Sequence, residues 1–176
     1  MSKLIVICGL PGTGKTTLAD ELSRRLSIFC LHKDSVKESL FESLKMSTLE
    51  ESKKIGYPSV KVVLDITEEN IARGVDVILE SPFNFPDEGK LFEEWKGKYG
   101  IDFFAVVLEI DQEERSRRFM DRERHRAHHD TDRLRRTNNT LNETCSYEHI
   151  PDRKLFLTTD RPVEQLANEV MEFLQS

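Results

Sequence analysis

Cysteines are few in this sequence, and long apolar runs are absent. The three cysteines, Cys8, Cys30 and Cys145, are odd in number, widely spaced and without a C-x-x-C pair. This usage argues against a disulfide framework and against a zinc knuckle. No apolar run approaches the roughly 20 residues that a membrane-spanning helix needs, and the run Leu4–Cys8 is too short for the core of a signal peptide. We therefore expect a protein of the reducing cytoplasm that does not cross a membrane.

The chain also lacks an excess of positive charge. Its 26 lysines and arginines stand against 32 aspartates and glutamates, which gives a net charge of −6. This balance provides no overall attraction to nucleic acid or to anionic lipid and leaves only a local basic patch for such a role. The length of 176 residues suits one well-filled core. We predict a single domain over residues 1–176.

Short apolar strands alternate along the chain with stripes of apolar residues at helical spacing. The predicted strands are Leu4–Cys8, Ile28–Leu31, Val75–Leu79, Phe103–Leu108 and Lys154–Leu157. Leu18, Leu22 and Leu26 share one helical face, a further helix is predicted from Pro58 to Gly74, and the last begins near Pro162. This alternation predicts an α/β fold, with a five-stranded parallel sheet between layers of helices. Ligands of such sheets bind at the carboxyl ends of the strands.

A glycine-rich segment follows the first predicted strand. Residues 9–16, GLPGTGKT, match G-x-x-x-x-G-K-[ST] at every specified position, and an amphipathic helix follows them. Successive backbone N–H groups of such a loop, together with the helix N-terminus, favour phosphate. Lys15 can reach the β- and γ-phosphates, and the Thr16 hydroxyl can bind Mg²⁺. We predict that ATP is bound by Gly9, Pro11, Gly12, Thr13, Gly14, Lys15, Thr16 and Thr17.

Four blocks carry a wider resemblance: 4–17 (LIVICGLPGTGKTT), 32–41 (HKDSVKESLF), 74–83 (GVDVILESPF) and 122–130 (RERHRAHHD). Together they resemble the P-loop kinases labelled AAA-domain kinases, among them zeta-toxin-like, chloramphenicol phosphotransferase-like and polynucleotide 5′-kinase-like enzymes. The resemblance covers nearly the whole chain. It implies the three-layer P-loop NTPase fold, a helical lid at about residues 112–136, and ATP-dependent phosphorylation of a hydroxyl. The D-x-x-G and N-K-x-D motifs of GTPases are absent.

Asp34 comes just after the second predicted strand. A carboxylate there can hold an attacking hydroxyl and take its proton. In polynucleotide kinase-like enzymes an acid at the matching position resembles the general base and is followed three residues later by arginine. Here that later residue is Lys37, which lacks the bidentate fork and weighs against a tight oligonucleotide clamp. Alternatively, Asp34 or Ser35 caps the next helix, since Ser35–Glu38 fits a capping box.

Glu80 directly follows the strand Val75–Leu79, where P-loop proteins place an acid that supports Mg²⁺. A carboxylate buried at a strand end is costly unless it is paired. We therefore predict that Glu80 and Thr16 serve the metal, with Glu80 facing a Mg²⁺-bound water or the acceptor hydroxyl. The alternative is a Glu80 bonded to backbone amides or to an arginine. The loop Ser81–Phe85 that follows either lines the acceptor pocket or packs.

Nine of the fourteen arginines lie between residues 113 and 136. Lid arginines of P-loop kinases neutralise the transferring phosphoryl group, and we predict this role for Arg118 and Arg122, with Arg126 behind them. A solvated helix of Glu–Arg pairs is the alternative. Six interleaved acids weaken the third option, a nucleic-acid patch. The histidines of the block 125–130 could bind a metal by their spacing, but we favour a lid or substrate role.

The loop Leu157–Asp160 follows the last predicted strand, where P-loop kinases often pack the adenine.

The leading hypothesis is an ATP- and Mg²⁺-dependent kinase that acts on a small-molecule hydroxyl, with Lys15, Asp34, Arg118 and Arg122 as catalytic residues. A polynucleotide 5′-hydroxyl kinase and a non-catalytic ATP-binding regulatory module are the alternatives.

Overall fold

The computed structural model describes residues 1–121, 125–129 and 144–175. Its strands are β1 (Lys3–Gly9), β2 (Phe29–His32), β3 (Val77–Glu80), β4 (Asp102–Glu109) and β5 (Lys154–Thr158). All pair in parallel, in the order β2-β3-β1-β4-β5. The apolar run of β1 is completely buried because β1 is the central strand and helices cover both faces. The predicted five-stranded parallel sheet is confirmed.

Helices form the two outer layers. They are α1 (Lys15–Leu26), α2 (Lys33–Ser43), α3 (Leu49–Lys54), α4 (Gly56–Ala72), α5 (Pro86–Tyr99), α6 (Gln112–Asp121) and α7 (Val163–Phe173), with a 3₁₀ turn at Arg126–His128. One core contains residues of α4 and α5, such as Val63 and Trp95, and the other contains residues of α1 and α7, such as Leu22 and Val170. Among the described residues, none of the helices has the length and apolar character needed to cross a membrane.

Several boundaries differ from those that the sequence pattern predicted. The third strand begins at Val77 rather than Val75, which is 41% exposed. The helix predicted from Pro58 begins at Gly56, so the proline lies in its first turn, where the missing N–H costs no helical bond. Helices α3 and α5 were not predicted. The first is short and polar and begins with a Thr48–Glu51 capping box, and α5 has few apolar residues.

Two glycines of α5 provide a matched test of its packing. A Cβ at the buried Gly89 would overlap the backbone carbonyl of His149, whereas a Cβ at the exposed Gly97 would meet nothing within 4 Å. We expect Gly89→Ala to lower the free energy of unfolding by about 1–3 kcal/mol through overpacking. Gly97→Ala should raise it by about 0.5–1 kcal/mol, because alanine restricts the unfolded chain. Urea unfolding of the two variants measures this difference, and equal effects would contradict the packing described.

Candidate active site

The phosphate loop joins β1 to α1 and is held between two neighbouring elements. Gly9 and Gly12 have positive φ angles of 146° and 94°. A Cβ at Gly9 would lie 2.6 Å from the carbonyl oxygen of Leu108, and one at Gly12 would lie 2.9 Å from that of Arg115. Both positions therefore require glycine for backbone conformation and for space. The close contacts place the loop against the end of β4 and against α6.

The start of α1 has backbone N–H donors and the Lys15 cation, both of which can bind an anion. Gly14 is the N-cap residue, no described side chain caps the helix, and its first turn has no acid. The helix N-terminus therefore presents N–H groups and a positive dipole end. Lys15 is buried, and its Nζ donates a hydrogen bond to the Leu10 carbonyl oxygen at 3.2 Å. The Thr13 hydroxyl donates to the same oxygen at 2.9 Å, which closes the loop.

A cavity of about 690 Å³ opens above this loop at the carboxyl ends of the strands. Its wall contains most of the site residues that the sequence predicted: Pro11, Gly12, Gly14, Lys15, Thr16, Thr17, Asp34, Glu80 and Arg118. Gly9 and Thr13 are not in this wall, since they pack behind the loop and determine its shape. Arg122 lies outside the described residues, as does most of the predicted lid beyond α6, and its role stays a prediction.

Glu80 forms a chain of contacts with two residues that sequence reasoning missed. It is 4% exposed at the end of β3, and its Oε2 lies 3.1 Å from Nδ1 of His32. The other ring nitrogen of His32 lies 3.1 Å from Oδ1 of Asp20. Among the described residues, the hydrogen-bond partner of Glu80 is thus a histidine and neither an arginine nor a backbone amide. The parallel register of β2 and β3 explains the contact, because it sets His32 opposite Glu80.

The surroundings of the His32 ring favour its charged form. Each ring nitrogen faces a carboxylate oxygen, and only the imidazolium form can donate from both. Hydrogen bonding with the Cys30 thiol and with the Glu80 carboxylate raises the pKa of His32 well above its ordinary value. A cationic His32 therefore orients Glu80 and offsets part of the cost of burying its charge.

Asp34 lies in the first turn of α2 and faces the cavity. Its Oδ1 accepts a hydrogen bond from Nζ of Lys33 at 3.0 Å and lies 3.9 Å from Nδ1 of His128. The helix begins at Lys33 with His32 as its N-cap, and no described side chain caps it. Neither Asp34 nor Ser35 is therefore the N-cap, and the alternative of a helix cap at these two residues is wrong.

Arg118 belongs to α6 and connects this helix to the loop after β5. Its Nε donates to Oε1 of Glu114 at 2.8 Å, and its Nη2 donates to the carbonyl oxygen of Thr159 at 2.7 Å. The predicted lid arginine and the predicted adenine loop thus meet at one edge of the cavity. The Glu–Arg pairing that the sequence offered as the alternative is present at Arg118. A contact with the transferring phosphate stays a prediction.

The 3₁₀ turn Arg126–His128 packs on α2 through an arginine–glutamate ion pair and histidine–glutamate contacts. Nε2 of His128 lies 2.7 Å from Oε1 of Glu38, and Nη2 of Arg126 lies 2.9 Å from Oε2 of Glu42. His125 also pairs with Glu42, at 3.0 Å. The turn and its N-cap residue thus contribute His128 and His125 to the cavity wall. Sequence reasoning missed the pairing because α2 and the turn are about 90 residues apart.

Comparisons with known proteins give a family match and several structures of similar fold. The profile of the family described as AAA domain (AAA_33) matches residues 4–144. A candidate kinase from Chloroflexus aurantiacus superposes with a TM-score of 0.76 at 20% identity and 98% coverage of both chains. The adenosine phosphosulfate (APS) kinase of Mycobacterium tuberculosis, in complex with AMPPNP and APS, gives 0.62 at 20% identity, covering 99% of this chain and 98% of that one.

A third structure, shikimate kinase from Bacteroides thetaiotaomicron, superposes with a TM-score of 0.62 at 15% identity and 98% coverage of both chains. No curated protein matches in sequence. At these identities the structures show the fold, and this fold agrees with the P-loop NTPase architecture that the sequence predicted. The narrower resemblance to zeta-toxin-like and chloramphenicol phosphotransferase-like enzymes stays a prediction.

Proposed function

The chain belongs to the AAA domain family, and on that premise we propose that it is a kinase that transfers the γ-phosphate of Mg·ATP to a hydroxyl of a small molecule. One observation carries the proposal: a single cavity combines a phosphate loop, the Lys15 cation, the Glu80 carboxylate and the Asp34 carboxylate. Kinase chemistry is largely positioning and charge stabilisation around a phosphoryl group. The cavity contains the groups for both tasks.

Each side chain has a distinct role in this proposal. Lys15 and the N–H groups at the start of α1 bind the phosphates, and Lys15 exchanges the Leu10 carbonyl for a phosphate oxygen. Asp34 orients the acceptor hydroxyl and accepts its proton. Arg118 supports the nucleotide from the edge formed by α6 and the loop after β5. Within the described part of 112–136, Arg118, His125 and His128 line the cavity, which supports a lid role for this segment.

The residues present fit a magnesium ion. The Thr16 hydroxyl and the Glu80 carboxylate are hard oxygen donors in the same wall. The described residues contain no cluster of three or more His, Cys, Asp or Glu side chains that would enclose a metal. Such a sparse donor set suits Mg²⁺, which is usually held by one or two carboxylates together with substrate phosphates. When bound, the ion neutralises charge on the phosphate oxygens.

His32 is expected to act on the metal through Glu80. Loss of a residue that orients a metal ligand typically costs 10–100-fold in metal affinity. We expect His32→Gln to raise the Mg²⁺ concentration needed for half-maximal activity by about that factor and to weaken Mn²⁺ binding in parallel. Titration of activity with Mg²⁺ and Mn²⁺ paramagnetic resonance measure this, with Asp152→Asn, at an exposed residue outside the cavity, as control. Unchanged metal affinity would show that His32 does not support metal binding through Glu80.

The acceptor is expected to be a small molecule rather than a polynucleotide. Two of the similar structures are small-molecule kinases by name, APS kinase and shikimate kinase, which supports this choice. The net charge of −6 opposes a polyanionic acceptor.

The test is transfer of labelled γ-phosphate from ATP into separate pools of nucleosides, sugars, other small alcohols and 5′-hydroxyl oligonucleotides. Label in a small-molecule pool supports the proposal. Label only in oligonucleotides, with an affinity that falls steeply as salt rises, would replace it with a polynucleotide kinase. ATP binding without transfer to any pool would leave the regulatory module as the function.

A further inference from the structure

A second cavity shares part of its wall with the candidate active site. It has a volume of about 780 Å³ and is formed by α4, the loop after β3, and α5. Lys33 and Pro82 line both cavities. Because Nζ of Lys33 lies 3.0 Å from Oδ1 of Asp34, the junction of the two cavities is next to the proposed base. A molecule that fills the second cavity can therefore present a hydroxyl at this junction.

The wall of the second cavity is mostly aromatic and aliphatic, and we call it the aromatic cavity. Tyr57 and Phe85 line it with rings that are 76% and 64% exposed, while Phe83 and Trp95 are buried. Its aliphatic residues are Val60, Leu64 and Leu91. Concave sites of about 300–1,000 Å³ with apolar and aromatic walls are the usual form of small-molecule pockets. Two exposed rings beside such a cavity offer stacking surfaces for a flat ligand.

The polar groups around the aromatic cavity are mainly acidic. Four carboxylates and two amines line it: Asp65, Glu68, Asp87, Glu88, Lys33 and Lys61. Lys61 pairs with Asp65, and Lys33 pairs with Asp34 of the neighbouring cavity. Both amines thus already face a carboxylate. Glu68 and Asp87 pair in turn with Lys98 and Lys90, which are outside the cavity lining. The two engaged amines and the excess of carboxylates in the lining disfavour a phosphorylated or carboxylated ligand.

We propose that the aromatic cavity is the acceptor subsite and that it takes an uncharged hydroxyl compound with a flat aromatic body. The inference rests on the proposed kinase function and specifies the chemical class of its acceptor. The ring stacks on Tyr57 and Phe85, and the hydroxyl passes Lys33 to reach Asp34. The hydroxyl oxygen forms a bond to the γ-phosphorus while the bond from that phosphorus to the β,γ-bridging oxygen breaks. The hydroxyl proton passes to the Asp34 carboxylate, and ADP leaves.

The experiment uses the full chain and three kinds of probe: uncharged nucleosides and aryl alcohols, their phosphate esters, and sugars without an aromatic ring. Binding is followed by the fluorescence of Trp95, the only tryptophan of the chain, with AMPPNP and Mg²⁺ present so that the nucleotide site is filled. Phosphoryl transfer to the same probes is measured with labelled ATP.

The variants are Tyr57→Ser and Phe85→Ser, with Phe29→Ser as the matched control. Phe29 is 52% exposed and is the first residue of β2. It therefore lies at the amino end of this strand, whereas the site lies at the carboxyl ends. The exposure of all three rings makes the substitutions compatible with folding. We expect uncharged aromatic probes to bind and to accept phosphate. Tyr57→Ser and Phe85→Ser should raise the acceptor KM at least tenfold without changing the KM for ATP, and Phe29→Ser should change neither.

Other outcomes separate this inference from the proposed function. Transfer to sugars or phosphate esters that is unaffected by Phe85→Ser would overturn the aromatic subsite while the kinase function stands. Failure of every aromatic probe to bind would overturn it as well. Aromatic probes that bind but are never phosphorylated would overturn the acceptor role of the cavity, and only the absence of transfer to every probe would overturn the kinase function as well.

Discussion

Replacing Asp34 by asparagine is expected to lower phosphoryl transfer by about 10²–10⁴-fold while ATP binding stays unchanged. Asparagine has nearly the shape of aspartate but cannot accept the acceptor proton, and a positioned base is typically worth this factor. The substitution also leaves Lys33 without the carboxylate that it contacts at 3.0 Å. Single-turnover transfer of labelled γ-phosphate measures the loss, and equilibrium ATP binding provides the second readout.

A control separates this effect from general damage to the fold. Asp152 is an exposed aspartate outside both cavities, and Asp152→Asn should leave transfer and binding at wild-type values. Full transfer by Asp34→Asn would show that Asp34 is not the base. Loss of ATP binding together with transfer would show that Asp34 interacts with the nucleotide rather than with the acceptor.

Replacing Lys15 by alanine should weaken ATP binding and turnover together. Lys15 is a buried cation at the phosphate end of the cavity, and its amine is held over the loop by Leu10. Loss of a preorganised group that stabilises developing charge typically costs about 10²–10³-fold in turnover, and we expect ATP affinity to fall at least tenfold with it. Calorimetric titration with Mg·ATP and initial rates measure the two effects.

Lys53→Ala is the matched control for this variant, because Lys53 is exposed and pairs only with Glu50 at the surface among the described residues. It should leave both quantities unchanged, since exposed ion pairs contribute little. Wild-type turnover in Lys15→Ala would contradict the kinase proposal.

The sequence predicted the parts of the site that depend on local pattern. The strand before the phosphate loop, the loop and the helix after it are contiguous, so their motif implies their geometry. The position of Glu80 at a strand end was also predicted, because it directly follows a contiguous apolar run in the sequence. Its partner could not be read from the pattern, because His32 precedes it by 48 residues and meets it only through the parallel register of β2 and β3.

The aromatic cavity was missed for a related reason. The loop Ser81–Phe85 was considered for the acceptor side, but the opposite walls come from α4 and α5. Trp95 belongs to α5, which the pattern did not predict, since α5 depends on tertiary contacts such as the one between Gly89 and His149. Tyr57 gives no local signal, because one exposed aromatic residue is ordinary in a folded protein. Long-range packing therefore determines this part of the site.

The most direct test of the central claim is a crystal structure of the chain with Mg²⁺ and AMPPNP. The account predicts the triphosphate along the phosphate loop, with Nζ of Lys15 moved from the Leu10 carbonyl to the β- and γ-phosphates. It predicts the ion next to Thr16 and Glu80 and the γ-phosphate directed toward Asp34. A triphosphate outside the 690 Å³ cavity, or a γ-phosphate directed away from Asp34, would contradict it.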